Sequence, residues 1–449
     1  MFGNYFLLAT NLVSSFPFPT LPTLALSVRS YVGATLDNIG TPSFASLAPQ
    51  NSTSTTASQV TKAKQPTISA TLLNGKAGMT STAGSGRGLV TSPFLDATYN
   101  TSFFVANVGR TVSNTGFAVS CGFVKPNATI SFYLAKNQAN DQLYFDSLSQ
   151  IVDVTGSGLF QMLTKSGYNI QGFNWNGTIA TLFSGYISWN TRRTGNMNVD
   201  GVAFLGSRDN QSFVWPGDLF DHDVSKSLTR GEIMAYIDNL NSVHNIYEPA
   251  DQVYRNVNFI FDGNSICYGF NSSIRTYPAA VAQLLKSGRF WNEGDPGKVT
   301  TFLNTAAATR TDLDFDPTAG KNILIFNEGI NDLKFGATGA QAYQNIKTYC
   351  QNRKIANPGL RILVCGLTAR SDVGNVPQYE VNRLSVNNSI ATALSAGETW
   401  IDGFARVDLN ADLNSLSATF YSADGVHPNN AGCLIWANIV FNALLPILA

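Results

Sequence analysis

The residue types and spacing around Ser265 are suited to nucleophilic chemistry. Residues 257–261 form a short, mostly apolar run, long enough for a buried strand and too short for a helix. Gly263 then allows a sharp bend, and Tyr277–Leu285 has the spacing of a helix. A serine between a buried strand and a helix lies beside free N–H groups that can stabilise the oxyanion it creates. On this stretch alone, a serine that caps the helix fits equally well.

A second stretch offers a hydrogen-bond donor for such an oxyanion. Residues 322–326 are another apolar run, and Gly329, Asn331 and Asp332 follow it. The side-chain amide of Asn331 carries N–H groups that could donate to an oxyanion.

His427 has the surroundings of a general base. It alone among the three histidines stands three residues after an aspartate, Asp424, and directly before a proline at the predicted start of a helix over residues 431–445. Within one turn Asp424 can accept the Nδ1 hydrogen, which leaves Nε2 free to take the proton of a serine.

Strands and helices alternate through this half of the chain. Helices are predicted over residues 340–352 and 379–394, with a strand over residues 361–366 between them. Such alternation predicts a parallel sheet that binds ligands at the carboxyl ends of its strands. Ser265 and Asn331 fall at such ends, and His427 lies in the loop before the last helix, so the three can converge.

Three short blocks together resemble the SGNH (GDSL-type) hydrolases: Gly263-x-Ser265, Gly329-x-Asn331-Asp332 and Asp424-x-x-His427-Pro428. They occur in the order and spacing of that family, and the resemblance covers roughly residues 250–449. It implies a flavodoxin-like, three-layer α/β domain with esterase or deacetylase chemistry. By position, the resemblance makes Ser265 the nucleophile, His427 the general base and Asp424 its orienting partner. It makes the Ser265 N–H and Asn331 oxyanion donors, and gives Gly263, Gly329 and Asp332 supporting positions.

The chain departs from the family pattern at two places. The family usually has Asp between the Gly and Ser of the first block, where this chain has Asn264. The second block usually supplies a glycine N–H to the oxyanion, and the stretch taken here as its equivalent, residues 304–310, contains no glycine. An alanine can supply the donor where φ is negative, so Ala307 or Ala308 is the predicted donor.

The composition bounds the classes of partner. Lys+Arg and Asp+Glu both number 29 in 449 residues, and charged residues make up 13%, well below the roughly 25% of ordinary soluble domains. A neutral surface rich in amides and hydroxyls predicts no nucleic-acid partner and suits neutral polymers such as polysaccharides. No apolar run is read as reaching the ~18 residues of a membrane span. The residues suggest neither a metal cluster nor a cofactor site, and the five cysteines are expected to be buried reduced thiols.

The first half of the chain carries β-type patterns. Residues 1–64 read as an extended arm and a hydroxyl-rich linker, residues 65–249 as a β-domain, and residues 250–449 as the hydrolase-like domain. Strands are predicted over residues 68–73, 102–108, 117–123, 129–134 and 178–189, and a helix over residues 228–245. The segments 66–76, 102–106 and 217–233 make this domain resemble the laminin-G/concanavalin-A-like lectins, which implies a jelly-roll sandwich. Asp221-His222-Asp223 is read as solvent-facing polarity in preference to a metal site.

Two functions follow from these patterns. The first is a serine esterase that removes acyl groups, chiefly O-acetyl, from a carbohydrate. The alternative is a glycan-binding structural or virion (phage tail-type) protein with an accessory or inactive hydrolase domain. The expected partners are an acylated polysaccharide or other ester, and a homo-oligomer or virion assembly. An extracellular or virion-associated location is expected from the neutral, amide- and hydroxyl-rich composition. No cleaved signal peptide is expected, because residues 1–25 contain prolines and no basic residue precedes Arg29.

Overall fold

The chain consists of two compact units that divide between Ala250 and Asp251. The computed structural model describes backbone and side chains at residues 104–109, 168–192, 225–270 and 276–449, and backbone alone in further strands of the first unit.

The first unit contains seventeen described strands and one described helix. The strands are β1 (Leu24–Arg29), β2 (Ala34–Asp37), β3 (Ser43–Leu47), β4 (Ala57–Ser58), β5 (Thr67–Leu73), β6 (Lys76–Ser81), β7 (Leu89–Thr91), β8 (Phe103–Thr111), β9 (Phe117–Val124), β10 (Ile130–Asn137), β11 (Gln142–Ser147), β12 (Gln161–Leu163), β13 (Asn169–Trp175), β14 (Ile179–Ser184), β15 (Ile187–Arg192), β16 (Gly201–Phe204) and β17 (Gly217–Ser225). The helix is α1 (Arg230–His244).

The described strand pairs of this unit are antiparallel. β17 lies between β8 on one side and β1 and β6 on the other, and β13, β14 and β15 extend the sheet beyond β8. A second series runs from β7 through β16, β9, β10 and β11 to β12. This pairing agrees with the predicted all-β character. A jelly-roll or concanavalin-A-like strand order does not follow from it and stays a prediction.

Two predictions for the first unit need correction. Four strands, β1 to β4, lie where residues 1–64 were expected to be an extended arm and linker. Alternating Leu24, Leu26 and Val28 have strand spacing, which the nearby prolines obscured. The single strand expected over residues 178–189 is a hairpin, because the chain turns at Gly185 with φ of 54°. The side chains of Asp221, His222 and Asp223 lie outside the described residues.

Helix α1 covers part of the first unit's core. A reciprocal capping box between Thr229 and Glu232 begins it, and Asn245 in the left-handed conformation ends it. Its buried face contributes to a cluster in which Tyr236 packs edge-on against Phe104, with ring centroids 5.1 Å apart. The bounds agree with the helix predicted over residues 228–245.

The second unit is a five-stranded parallel sheet flanked by helices. Its strands are β18 (Val257–Gly263), β19 (Gly288–Gly294), β20 (Lys321–Asn327), β21 (Arg361–Cys365) and β22 (Gly403–Ala405). Its helices are α2 (Ser265–Tyr268), α3 (Tyr277–Leu285), α4 (Thr300–Ala306), α5 (Ile330–Lys334), α6 (Gly339–Ala356), α7 (Val376–Ser395), α8 (Ala411–Asn414) and α9 (Asn430–Leu448), and 3₁₀ turns lie at Pro249–Asp251, Ala307–Thr309, Thr311–Asp314 and Val407–Leu409.

The strand order β19-β18-β20-β21-β22 is that of a doubly wound, flavodoxin-like sheet. α3 packs against α9, whereas α4, α6 and α7 pack in a second group. β19 lies on one side of β18, and β20, β21 and β22 lie on the other side. Right-handed crossovers therefore place the two groups of helices on opposite faces of the sheet. The three-layer α/β architecture expected for this half is therefore present, and its strands direct their carboxyl ends to one edge.

Helix α9 is long and apolar enough, by length and composition alone, to cross a membrane, and no other helix of the described residues passes this test. The reading that no apolar run reaches this length was therefore wrong. Core helices of soluble proteins pass the same test, and α9 packs Trp436, Ala437, Val440 and Leu444 into the interior, each at most 1% exposed. Trp436 stacks on Tyr277 of α3 at 5.6 Å between ring centroids.

Candidate active site

The turn after β18 holds Ser265 in a tightly packed position. A Cβ on Gly263 would lie 2.1 Å from the carbonyl oxygen of Asn327, so the two strand ends approach more closely than a larger residue allows. Asn264 accepts the N–H of Ile266 at 2.8 Å and caps α2, which begins with Ser265. The serine hydroxyl therefore lies at a strand exit and a helix entry, as the sequence predicted.

Ser265, His427 and Asp424 form one continuous hydrogen-bonded chain. His427 Nε2 lies 2.8 Å from Ser265 Oγ, and His427 Nδ1 lies 2.7 Å from Asp424 Oδ2. The other carboxylate oxygen, Asp424 Oδ1, accepts the N–H groups of Val426 and His427 at 2.9 and 3.0 Å. Asp424 thus holds both the imidazole and the backbone turn that carries it, and Nε2 faces the serine.

The turn after β20 places Asn331 and Asp332 at the same edge of the sheet. Gly329 has φ of 123°, and a Cβ there would lie 2.8 Å from a methyl group of Ile346. Asn331 Nδ2 donates to the Lys298 carbonyl at 2.9 Å. Because an amide nitrogen carries two hydrogens, one remains for a further acceptor.

Asp332 joins this turn to helix α4. Its Oδ2 accepts the N–H and the hydroxyl of Thr300, both at 2.9 Å, and its Oδ1 accepts from Asn345 at 2.7 Å. Asp332, predicted to have a supporting position, is therefore a buried side chain that links the turn after β20 to helices α4 and α6.

The stretch predicted to be an alanine-rich loop is helical. Residues 304–306 end α4, and Ala307 and Ala308 begin a 3₁₀ turn, with Ala307 1% exposed. The loop at the end of β19 is instead residues 294–299, which no prediction included because β19 itself was not predicted. The Gly-Asp-Pro-Gly sequence at residues 294–297 was the available signal for a turn there.

Gly297 has the properties of a backbone donor at this edge. β18 and β19 pair in parallel so that Gly263 lies opposite Gly294, and Asn331 binds the Lys298 carbonyl of the same loop. Gly297 is exposed with φ of 76°. No group among the described residues accepts its N–H, so that N–H is free for a ligand.

Arg310 ties the ends of β18 and β19 together. Its guanidinium donates to the Glu293 carbonyl and lies 3.4 Å from the Glu293 carboxylate, 3.3 Å from Asp295 and 3.6 Å from Asp262. Burial raises the pKa of Asp262, and Arg310 and hydrogen bonds from Tyr349, Thr311 and Gly263 oppose that rise. The sequence did not predict this role, since Arg310 is distant in the chain from each of its three partners.

Arg370 fixes the orientation of the Asn331 amide. Its Nη1 donates to Asn331 Oδ1 at 3.2 Å, which identifies that atom as the oxygen and directs Nδ2 the other way. Arg370 also pairs with Asp372 at 2.5 Å. Burial raises the pKa of Asp372, but hydrogen bonds from Arg370 and Lys334 outweigh it and lower the pKa to about 2.

Phe270 forms part of the surface beside the histidine. Its ring centroid lies 5.0 Å from that of His427, and the side chain is 45% exposed. The site therefore combines a hydrogen-bonded polar chain with an accessible apolar face. Among the residues whose side chains are described, no group of three or more His, Cys, Asp or Glu could hold a metal ion.

The four cysteines whose side chains are described lie beneath this surface and are not exposed on it. Cys267, Cys350, Cys365 and Cys433 are free and buried. Burial raises the pKa of the Cys365 thiol to about 12, although hydrogen bonds from Trp436 and Tyr277 lower it in part. The predicted reduced state is confirmed for these four, and the side chain of Cys121 lies outside the described residues.

Comparison with known proteins locates one family in the second unit. Residues 261–434 match the GDSL-like Lipase/Acylhydrolase family. No curated protein gives a significant match to the chain. The family match lies wholly in the second unit, so the lectin-like reading of residues 65–249 stays a prediction.

Two solved structures illustrate the similarity. One is a member of the lipolytic G-D-S-L family from Veillonella parvula, 17% identical over 41% of this chain and 97% of that structure, with a TM-score of 0.35. The other is a family 3 carbohydrate esterase from Clostridium thermocellum, 16% identical over 43% of this chain and 97% of that structure, with a TM-score of 0.34.

Proposed function

We propose, on the premise that the C-terminal unit contains a GDSL/SGNH-type hydrolase domain, that this unit is a serine esterase. The observation that carries the proposal is the chain from Asp424 through His427 to Ser265, with contacts of 2.7 and 2.8 Å. A base within hydrogen-bond reach of a hydroxyl, and itself oriented by a carboxylate, is the arrangement that activates a serine.

In the first half-reaction Ser265 Oγ attacks the ester carbonyl while His427 Nε2 takes the hydroxyl proton. Asp424 stabilises the imidazolium that forms. Collapse of the tetrahedral intermediate breaks the bond to the alcohol, which leaves with the proton from His427, and the acyl group remains on the serine. Water then attacks this acyl-enzyme, His427 takes a proton from the water, and the acid departs as Ser265 regains its hydrogen.

Three donors would hold the oxyanion in both half-reactions: the Ser265 N–H at the start of α2, the second hydrogen of Asn331 Nδ2, and the Gly297 N–H. Gly297 replaces Ala307 and Ala308 in this role because its amide is exposed and free, whereas Ala307 is buried in a helical turn. Loss of one such donor typically costs about 2.7–4 kcal/mol of transition-state stabilisation.

The proposed substrate class is an O-acylated carbohydrate, with acetyl as the leading acyl group. The support is the neutral, weakly charged composition, which suits an uncharged polymer better than a polyanion. Phe270 offers an apolar face beside the histidine against which a sugar ring or an acyl group can pack. We propose an extracellular or virion-associated setting on the same compositional ground.

Replacement of the serine tests the reaction. Ser265→Ala should lower the hydrolysis of p-nitrophenyl acetate to the uncatalysed background, because no other group takes over the attack. Ser389→Ala, on the far helix α7, is the matched control and should keep wild-type activity. Full activity in Ser265→Ala would refute the nucleophile assignment.

A separate measurement tests the substrate class. Wild type and Ser265→Ala are compared for acetate release from a panel of acetylated polysaccharides. Serine-dependent hydrolysis of p-nitrophenyl acetate without acetate release from any polysaccharide would keep the reaction and reject the carbohydrate.

A further inference from the structure

Glu328 is a buried carboxyl between the nucleophile turn and the Asn331 turn, and the reaction proposed above does not use it. The side chain follows β20 and is 0% exposed. Its Oε1 accepts the backbone N–H of Asn331 at 2.9 Å. One oxygen of Glu328 is therefore already committed to the residue that carries an oxyanion donor.

The other oxygen faces the nucleophile turn. Glu328 Oε2 and Asn264 Nδ2 are both fully buried, and neither has a hydrogen-bond partner among the described residues. Asn264 uses its Oδ1 to cap α2 through the Ile266 N–H at 2.8 Å, so its Nδ2 must point away from that helix. Glu328 and Asn264 nevertheless interact, as the amide of Asn264 stabilises the ionised carboxyl. A buried donor and a buried acceptor, each without a partner, thus belong to side chains close enough for Asn264 to lower the pKa of Glu328 in part.

We propose that Glu328 is a positioning residue whose carboxylate bridges Asn264 and Asn331, and so fixes the attacking serine relative to the oxyanion donor. This inference rests on the proposed esterase function. It also accounts for Asn264, where the resembled family has Asp, because a carboxylate at position 264 would add a second negative charge beside the buried Glu328.

The hydrogen-bond donors around Glu328 favour the ionised form of its carboxyl. They are the N–H groups of Gly329 and Asn331 and the amide of Asn264, and a protonated Glu328 would place its O–H against the Asn264 donor. The titratable neighbours are Asp332, on the helix that follows, and the hydroxyl of Tyr379 on α7.

Burial, reinforced by Asp332, raises the pKa of Glu328 to about 8 against the opposing effect of these donors. The bridge therefore closes as pH rises through that value, and kcat should rise with it.

Exchange of the carboxylate between the two positions tests the bridge. Asn264→Asp, Glu328→Gln and the double variant are compared with wild type at pH 9. In Asn264→Asp two acceptors oppose each other, and in Glu328→Gln two donors do. The double variant again pairs one donor with one acceptor, and the donor is now the side chain at position 328. Each single variant should lose about tenfold or more in kcat, and the double variant should return to within about threefold of wild type. KM should change by less than about twofold, since substrate binding is not altered.

Two further readouts separate positioning from simple packing. The wild-type rise of kcat near pH 8 should be absent from Glu328→Gln. The thermal unfolding temperatures of wild type, the two single variants and the double variant give a second double-mutant cycle, beside the one for kcat. Asn388→Asp, on the exposed side of α7, is the control for an added carboxylate. The positioning role would be overturned if the double variant recovered thermal stability without recovering kcat. It would also be overturned if the losses of the two single variants simply added up in the double variant, both in kcat and in thermal stability. A wild type that hydrolyses no ester would refute the proposed function and this catalytic role with it, and the thermal cycle would still decide whether the two side chains pair.

Discussion

Asp424 controls which ring nitrogen of His427 carries the proton. With Nδ1 2.7 Å from Asp424 Oδ2, the hydrogen is held on Nδ1 and the lone pair of Nε2 faces Ser265. An asparagine at position 424 can donate its own amide hydrogen to Nδ1, which favours the wrong tautomer. Asp424→Asn should therefore lower kcat about 10³-fold with little change in KM, measured with p-nitrophenyl acetate.

The control for this substitution is Asp412→Asn on the exposed face of α8, which should retain full activity. A loss of less than about threefold in Asp424→Asn would mean that the carboxylate does not orient the histidine during turnover.

The sequence predicted the residues that form the polar chain, and it did not predict the residues that surround them. Ser265, Asn331, Asp424 and His427 belong to short blocks in which residue type and spacing already express the chemistry. The roles of Arg310 and Glu328 depend on burial and on partners far away in the chain, which no local pattern encodes. Each is a charged residue that, read alone, suggests an exposed surface position.

At the scale of elements, the loop after β19 carries the donor proposed above, which the sequence did not predict. β19 is a strand of seven residues whose sequence, Gly-Arg-Phe-Trp-Asn-Glu-Gly, contains only two adjacent apolar side chains. It shows neither an apolar run nor regular alternation, so no periodic signal marked it. Without a predicted strand here, the predicted equivalent of the family's second block lay further along the chain. Those residues form the end of helix α4 and the 3₁₀ turn that follows it. The neighbouring strands β18, β20 and β21 were predicted because both of their faces are covered and their sequences are continuously apolar.

Gly297→Ala tests the donor assigned to that loop. A Cβ at position 297 would meet no atom within 4 Å, so the cost arises from the φ of 76° alone, about 1–2 kcal/mol for a residue other than glycine. Relief of this strain rotates the peptide and turns the N–H away from the oxyanion. We expect kcat to fall by at least about tenfold, up to the roughly 10²–10³-fold that follows loss of an oxyanion donor.

Gly397→Ala is a closely matched control for this variant. Gly397 has φ of 73°, and a Cβ there also meets nothing within 4 Å, but it lies in the turn between α7 and β22, away from the carboxyl edge. Both variants should lose similar thermal stability, and only Gly297→Ala should lose kcat. Equal kcat in the two would remove Gly297 from the oxyanion site.

For the molecule as a whole, the catalytic unit carries its site at one edge of a sheet that buries several charged groups. Asp262, Glu328 and Asp332 are each at most 4% exposed and lie in or after β18 and β20. Burial raises the pKa of Asp262 and of Glu328, so the ionised forms of these two carboxyls reduce the free energy of unfolding wherever hydrogen bonds do not fully compensate.

The stability of the catalytic unit should consequently depend on Glu328 with a definite sign. The folded pKa is about 8 and lies above the unfolded value of about 4.3. Between these limits the folded state binds more protons than the unfolded state, so the free energy of unfolding falls as pH rises. The free energy of unfolding is highest below the unfolded pKa, where both states are protonated, and the loss across the whole window amounts to at most about 5 kcal/mol.

Glu328→Gln removes this titration and should give a flatter pH profile than wild type between about pH 4.5 and pH 8. Hydrogen exchange of peptides from β18 and β20, corrected for the intrinsic pH dependence of exchange, reports the stability of this unit separately from the first. Other carboxyl groups, such as Asp372 with its lowered pKa, titrate equally in both proteins and cancel in the difference. Parallel profiles for the two proteins would show that Glu328 titrates alike in the folded and unfolded chains, and that its burial leaves its ionisation undisturbed.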